Sequence, residues 1–409
     1  VYHGRALEAL LRGPISRGKI RLLLGARQTG KTSLLRHLLP DPSTRIFDLQ
    51  DSDLRRRYEA HPRVFGREVE GLARGIRNVV VDEIQKVPAL LDEIQRLHDQ
   101  APSRWQFFLT GSSARRLRQR SANLLPGRSH VWHLYPVCRW EVAHDLAPEI
   151  GRAPTRGATT KPPFPARDLG WLLRFGALPG TWSERPGTAE ATLSAYVGLY
   201  LEEEIRREAV VRDLGPFIVF LRLAAGDSGR QVNLAKLSQE SGVAASTLKT
   251  YYQVLADTFV GHWMAAYSRS ARRRLLTTPR FYLFDVGVRN AAAEVPMDTR
   301  LLNTEGGRLL EHWVAQELLA RAGYLGRGYR VSFWRLASGA EVDFVWEAPR
   351  EDVPIEVKWT ARPRPEDARH IERFLDEHRT RARRGVVVCR CPEPQQLTRR
   401  VQAIPWSRL

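Results

Sequence analysis

The first third of the chain alternates short apolar runs with amphipathic stretches. Residues 21–24 (RLLL), 45–49 (RIFDL), 78–83 (NVVVDE) and 107–110 (FFLT) are too short for helices. Their near-continuous apolar character predicts strands of a parallel sheet buried on both faces. Between them, residues 33–39, 63–73 and 89–99 predict helices, the first stopping at Pro40. This alternation predicts an open α/β sheet. Residues 151–167, rich in Pro, Thr, Gly and Arg, read as an exposed linker. Residues 171–180 predict a short helix, and 189–209 a longer one with apolar positions 193, 196, 197, 200, 201 and 205 on one face. The neighbouring Glu202, Glu203 and Glu204 point in different directions around that helix and read as solvated surface. Helices at 234–240 and 245–254, separated by Ser241-Gly242, have helix-turn-helix spacing, and 272–275 with 281–284 follow as a wing. A helix from 307, strands at 329–334, 340–346 and 354–358, a helix at 365–377 and a strand at 385–388 predict a small α/β core. Three parts follow: 1–145, 146–295 and 296–409.

The densest chemistry lies where the first strand meets the first helix. Gly25-Ala26-Arg27-Gln28-Thr29-Gly30-Lys31-Thr32 fits the phosphate-loop pattern G-x-x-x-x-G-K-[ST] at every fixed position. The glycines let several N–H groups turn toward one anion, and the helix that continues through Ser33 adds its own N–H groups and positive dipole end. Lys31 is expected to reach the β- and γ-phosphates, and the Thr32 hydroxyl to ligate Mg²⁺. No guanine-specific N-K-x-D string is evident, which points to ATP over GTP. The valine strand delivers Asp82 and Glu83 to its C-terminal end, where ligands of open α/β sheets bind. Asp82 is expected to hold Mg²⁺ through a water, and Glu83 to polarise the attacking water. Ser112, with Thr110 and Ser113 close behind, is the expected γ-phosphate sensor. Ser112 also reads as the cap of a helix at 114–120. Arg115, Arg116 and Arg128 could each supply transition-state charge, in cis or from a neighbouring subunit, which leaves a homo-oligomer open; the alternative for each, in so arginine-rich a chain, is a surface residue.

A second constellation occupies the last third. Period two puts Glu341 and Asp343 on one face of their strand, and Glu356 and Lys358 on one face of the next. Two carboxylates and a lysine on adjacent strands suit Mg²⁺ or Mn²⁺ beside a scissile phosphate. The alternative is a scaffold whose carboxylates pair with nearby arginines.

The chain has 409 residues, enough for two or three domains, with 43% hydrophobic and 27% charged content, as in soluble globular proteins. No apolar run approaches the ~20 residues that span a bilayer. The N-terminal stretch has no signal-peptide pattern, and Cys138, Cys389 and Cys391 fit neither a disulfide framework nor a zinc site. A cytoplasmic protein without a membrane partner is therefore expected. The net charge of +19 suggests a polyanionic partner, DNA first. Seven of the 64 basic residues are lysines and the rest arginines, so arginine-rich composition accounts for part of that charge.

The strings GARQTGKTSLLR, VVVDEIQKVP, FFLTGSSARRL and LLPGRSHVWHLYPVCRWE occur in that order. With them the chain resembles, over essentially its whole length, the bacterial and archaeal AAA-type ATPases that carry a nuclease-like C-terminal domain of unknown function. The resemblance implies a P-loop sheet of the class with an extra strand between the phosphate-loop strand and the acidic strand. It also implies a winged helix in the middle. If DNA is bound there, Ser246, Thr247, Lys249 and Thr250 face the major groove; otherwise the winged helix is a packing module. The last third resembles the PD-(D/E)xK nuclease fold, with Asp343, Glu356 and Lys358 in matching positions and Glu311 as the helix carboxylate. Val342-Asp343 replaces the usual Pro-Asp pair. Two functions are consistent with these readings. One is an ATPase whose nucleotide state controls the winged-helix and nuclease-like domains on or near DNA. The other is a nucleotide-gated binding or signalling module with an inactive nuclease-like scaffold.

Overall fold

The computed structural model describes the chain except residues 14–17, 40, 116, 118–126, 143–149, 151–161, 202–213, 269 and 271–276. Most of the expected linker, the Glu202–Glu204 run, Arg116 and the first side of the expected wing lie outside the described residues. The chain divides into two compact units. One comprises Val1–Tyr135, Pro154–Phe164 and Asp257–Val260; the other comprises Pro136–Ala153, Pro165–Ala256 and Gly261–Leu409.

The first unit is built on a five-stranded parallel sheet of β1 (Ile20–Leu24), β2 (Thr44–Asp48), β3 (Asn78–Asp82), β4 (Gln106–Gly111) and β5 (Ser129–His133), in the order β2-β3-β4-β1-β5. Strand β4 therefore lies between the strand that enters the phosphate loop and the strand that carries Asp82. All positions of β1 and β3 are buried, which is why both read as unbroken apolar runs. Burying each of Val79, Val80 and Val81 contributes roughly 1.5–3 kcal/mol. Arg21 is the exception inside β1: its Nε donates to Leu11 O at 3.2 Å, and its guanidinium lies 4.7 Å from the centre of the Phe108 ring.

Among the elements here that were not expected are a helix and an edge strand. The polar stretch after β2 is the helix Ser52–Ala60, in which Tyr58 is the sole buried residue, so no apolar stripe announces it. Its start is set by Asp51, whose side chain accepts from Asp53 N at 2.8 Å and Leu54 N at 3.2 Å. Strand β5 is an edge strand of Ser, His, Val, Trp and His, none of them buried.

In the second unit, the helix Leu234–Ser241 is capped by Asn233, which accepts from Lys236 N at 3.0 Å, and stops at Gly242 with φ +69°. The helix Ala245–Asp257 follows, then the antiparallel hairpin β6 (Gly261–Met264) and β7 (Arg280–Leu283). The 26-residue helix Arg300–Leu325 leads into β8 (Arg330–Arg335), β9 (Glu341–Glu347) and β10 (Asp352–Val357), an antiparallel meander. After the helix Arg369–Glu377, β11 (Gly385–Cys389) pairs parallel with β10. Strands β12 (Gln395–Gln396) and β13 (Val401–Pro405) complete the six-stranded sheet β12-β13-β11-β10-β9-β8. Ile371, Phe374 and Leu375 of the helix pack on Val342, Val345 and Val387 of the sheet.

His312, on the long helix, is buried with Nε2 donating to Leu283 O at 2.7 Å, and burial pushes its pKa down to about 3. The unfolded chain then takes up a proton below about pH 6.5 while the folded chain does not, so stability is lost as pH falls. Denaturant titrations at pH 7 and pH 5 are expected to show the wild type losing about 2 kcal/mol more than His312→Gln. Equal losses would place the acid sensitivity elsewhere.

Candidate functional site

The phosphate loop leaves β1 through Gly25, whose φ of +154° brings its backbone against the chain that leaves β5. A Cβ at this position would stand 2.4 Å from Leu134 O, so glycine is required. Gln28 and Gly30 also have positive φ, +60° and +93°, and the helix Lys31–Leu38 starts directly after Gly30. Ala26 and Thr29 are buried, Arg27 is half-buried, and Gln28 and Ser33 are exposed. Lys31 is buried, and its Nζ donates to Gly25 O and Ala26 O, both at 2.8 Å. The ammonium is thus held at the centre of the loop by the loop's own carbonyls.

Thr32, at the start of the helix, donates its hydroxyl to Asp82 Oδ2 at 2.8 Å. Asp82 Oδ1 accepts from Thr110 Oγ1, and Thr110 in turn accepts from Glu83 N at 2.9 Å. Burial pushes the Asp82 carboxyl up, with the Thr110 and Thr32 hydroxyls pulling the other way. Burial acts upward on Glu83 as well. The Lys31 charge and the bonds from Gln85 and Ser112 outweigh it, and the net shift is downward. Glu83 closes this end of β3 in the left-handed region, at φ 59° and ψ 48°, which a non-glycine residue seldom adopts.

Four of the expected residues therefore meet in one place: Lys31 and Thr32 from the loop, and Asp82 and Glu83 from β3. Ser112 and Thr110, both buried, join them from β4, one bonded to Glu83 and the other to Asp82. Arg128 stands elsewhere, with Nε donating to Asp99 Oδ1 at 2.6 Å on the surface. Sequence reasoning passed over two residues. Arg5, buried, donates to Thr29 O and to Tyr135 O, both at 2.7 Å, and so ties the loop to the end of β5. Gln85 bonds both Glu83 and Ser112. Arg5 lies outside the quoted strings, and Gln85, although inside VVVDEIQKVP, meets Ser112 from a segment 27 residues further on.

The second constellation also assembles. Asp343, just before Phe344, and Glu356, just after Ile355, flank that antiparallel pair on the same side, and Asp343 Oδ2 accepts from Val357 N at 2.8 Å. Lys358 Nζ lies 2.7 Å from Glu356 Oε1, while Glu356 Oε2 is buried without a hydrogen-bond partner. Burial and the charge of Asp343 push Glu356 up to about 8 and Glu311 up to about 7. Arg280, from β7, was also passed over. Its guanidinium, over the Phe333 ring, contacts Glu311 Oε1 at 3.3 Å, Glu341 Oε1 and Asp343 O. Tyr282 OH donates to Glu311 Oε1 at 3.1 Å. Among the described residues, no three His, Cys, Asp or Glu side chains converge as a metal cage. None of the helices there is long and apolar enough to cross a membrane.

Residues 17–143 match the family model of an AAA domain. Residues 167–299 and 306–409 match two domains of unknown function, DUF8612 and DUF4143. No curated protein sequence matches the chain. Among solved structures, it is similar to the Walker-type ATPase PABY2304 of Pyrococcus abyssi at 15% identity, over 71% of this chain and 96% of that one, with a TM-score of 0.44. It is similar to the Pif1 helicase of Candida albicans at 16% identity, over 34% and 41%, with a TM-score of 0.23. The protein VC1899 of Vibrio cholerae aligns at 12% identity, over 95% and 94%, with a TM-score of 0.18. With the phosphate loop, the acidic strand and the strand between them in place, residues 17–143 are an AAA-type, ATPase-like P-loop domain.

Proposed function

We propose that the protein binds and hydrolyses ATP with Mg²⁺, and that its nucleotide state controls the winged-helix and nuclease-like parts on or near DNA. The observation that carries the first half is the Thr32–Asp82 contact at 2.8 Å beside the buried ammonium of Lys31. A hydroxyl and a carboxylate side by side are the hard oxygen donors Mg²⁺ takes, so the residues fit the ion. Thr32 and Asp82 would hold it, and the ion would supply charge neutralisation at the phosphates. The loop N–H groups from Gly25 to Ser33 and Lys31 bind the triphosphate, Glu83 takes the proton of the attacking water, and Ser112 senses the γ-phosphate. Control of the other parts requires that nucleotide binds one arrangement of the protein better than another.

Three features support the PD-(D/E)xK reading of the last third: the order helix, three antiparallel strands, helix, parallel strand; the Asp343–Glu356 juxtaposition; and the adjacent Lys358. Asp343 and Glu356 fit a divalent ion, since Glu356 Oε2 is a buried carboxylate oxygen with no hydrogen bond, and they would hold it there. Glu311 is engaged by Arg280 and Tyr282, and this favours the second reading, a scaffold whose charges are satisfied internally.

One set of assays separates the two. Wild type, Lys31→Ala and Lys358→Ala are incubated with plasmid, ATP and Mg²⁺ or Mn²⁺. Phosphate release that needs Mg²⁺ and Lys31 supports the ATPase, and its absence refutes it. Nicking that disappears in Lys358→Ala supports a nuclease, whereas no nicking with either metal leaves the scaffold. DNA affinity that falls steeply with salt is expected if the +19 charge serves nucleic acid.

A further inference from the structure

Gln85 lies two residues beyond Glu83, in the short turn Ile84–Lys86, and is buried at 3% exposure. Its amide nitrogen donates to Glu83 Oε2 and to Ser112 Oγ, the latter at 2.9 Å. Ser112 Oγ donates to the same Glu83 oxygen at 3.0 Å, so the three side chains close a ring. The other end of the amide has no such role. Gln85 Oε1 is buried without a hydrogen-bond partner, and a Cβ at position 111 would stand 3.0 Å from it. Burying an unsatisfied carbonyl costs about 1–3 kcal/mol. An apolar side chain of the same shape fills the same space without that cost, so what the amide contributes is the pair of bonds it donates. The backbone of Glu83 is held as tightly as its side chain, by Thr110 Oγ1 and by its left-handed conformation.

We propose that Gln85 is a positioning residue for Glu83: with Ser112 it takes up Oε2, so that Oε1, which no described residue bonds, is the oxygen turned to the attacking water. This rests on the ATPase reading above. In this role Gln85 acts through Glu83, to which its amide donates. A carboxylate held by two donors at one oxygen is oriented before the reaction, and misplacement of a catalytic group by about 1 Å costs on the order of 100-fold in rate.

The test is steady-state ATP hydrolysis by wild type, Gln85→Met, Ser112→Ala and Glu83→Gln, with Lys31→Ala as the reference for loss of the phosphate loop. Gln85→Met is expected to lower kcat roughly 10- to 100-fold with KM for ATP and the melting temperature unchanged. Ser112→Ala, which removes the second donor, is expected to lower kcat as well, and the two changes together to cost less than their product. In the Glu83→Gln background, Gln85→Met is expected to have no further effect on single-turnover hydrolysis. An unchanged kcat, or an equal loss in that background, overturns the positioning role while leaving the ATPase intact. Wild-type phosphate release that persists in Lys31→Ala overturns the ATPase reading, and the inference with it.

Discussion

Lys31→Ala is expected to lower kcat/KM for ATP hydrolysis by roughly 100- to 1,000-fold. Its ammonium is buried and bonded to Gly25 O and Ala26 O, so it is the positive charge at the centre of the loop. In a site of low dielectric, one such charge aimed at a phosphate is worth far more than in water. The same substitution leaves two loop carbonyls without their donor, which costs stability of about 1–3 kcal/mol if they stay buried. Two measurements separate the effects: titration with a fluorescent ATP analogue, and a thermal melt. Weak nucleotide binding with a melt lowered by only a few degrees is the expected pair. Full ATP affinity in Lys31→Ala would remove the phosphate site from this loop.

The second large effect is at Glu83. Glu83→Gln is expected to keep ATP affinity within a few-fold and to slow hydrolysis by roughly 100- to 10,000-fold, because an amide cannot accept the water's proton. The replacement is nearly isosteric, and its carbonyl can still accept the bond from Gln85 or Ser112 that now meets Oε2. The Lys31 charge that holds the Glu83 carboxyl down belongs to the same site, so the wild-type group is ionised at neutral pH and ready to take a proton. Binding titration and single-turnover phosphate release on one preparation check both halves. Wild-type turnover in Glu83→Gln would mean that another group acts as the base.

What could be read along the chain were features carried by contiguous residues. The phosphate loop is eight consecutive residues with a strand before and a helix after. The acidic pair follows three valines whose burial on both faces leaves no alternation to confuse with a helix. The central strands came out within a residue or two of their expected ends for that reason. Two of the elements that were missed, the helix Ser52–Ala60 and strand β5, bury one side chain between them, so there the hydrophobic pattern carried almost no signal.

Which side chains meet was a different matter. Arg5 reaches across 24 residues to Thr29 O, Gln85 across 27 to Ser112, and Arg280 across 31 to Glu311 and 61 to Glu341. In an arginine-rich chain nothing local distinguishes Arg5 or Arg280 from a surface arginine. Their roles follow from strand order: β4 between β1 and β3 brings Ser112 to Glu83, and the hairpin of β7 carries Arg280 to the carboxylates of the six-stranded sheet. Spacing alone specifies a loop that wraps an anion, because the atoms involved are covalent neighbours. Partners drawn from separate strands are chosen by how the sheet assembles, and that depends on burial summed over the whole fold.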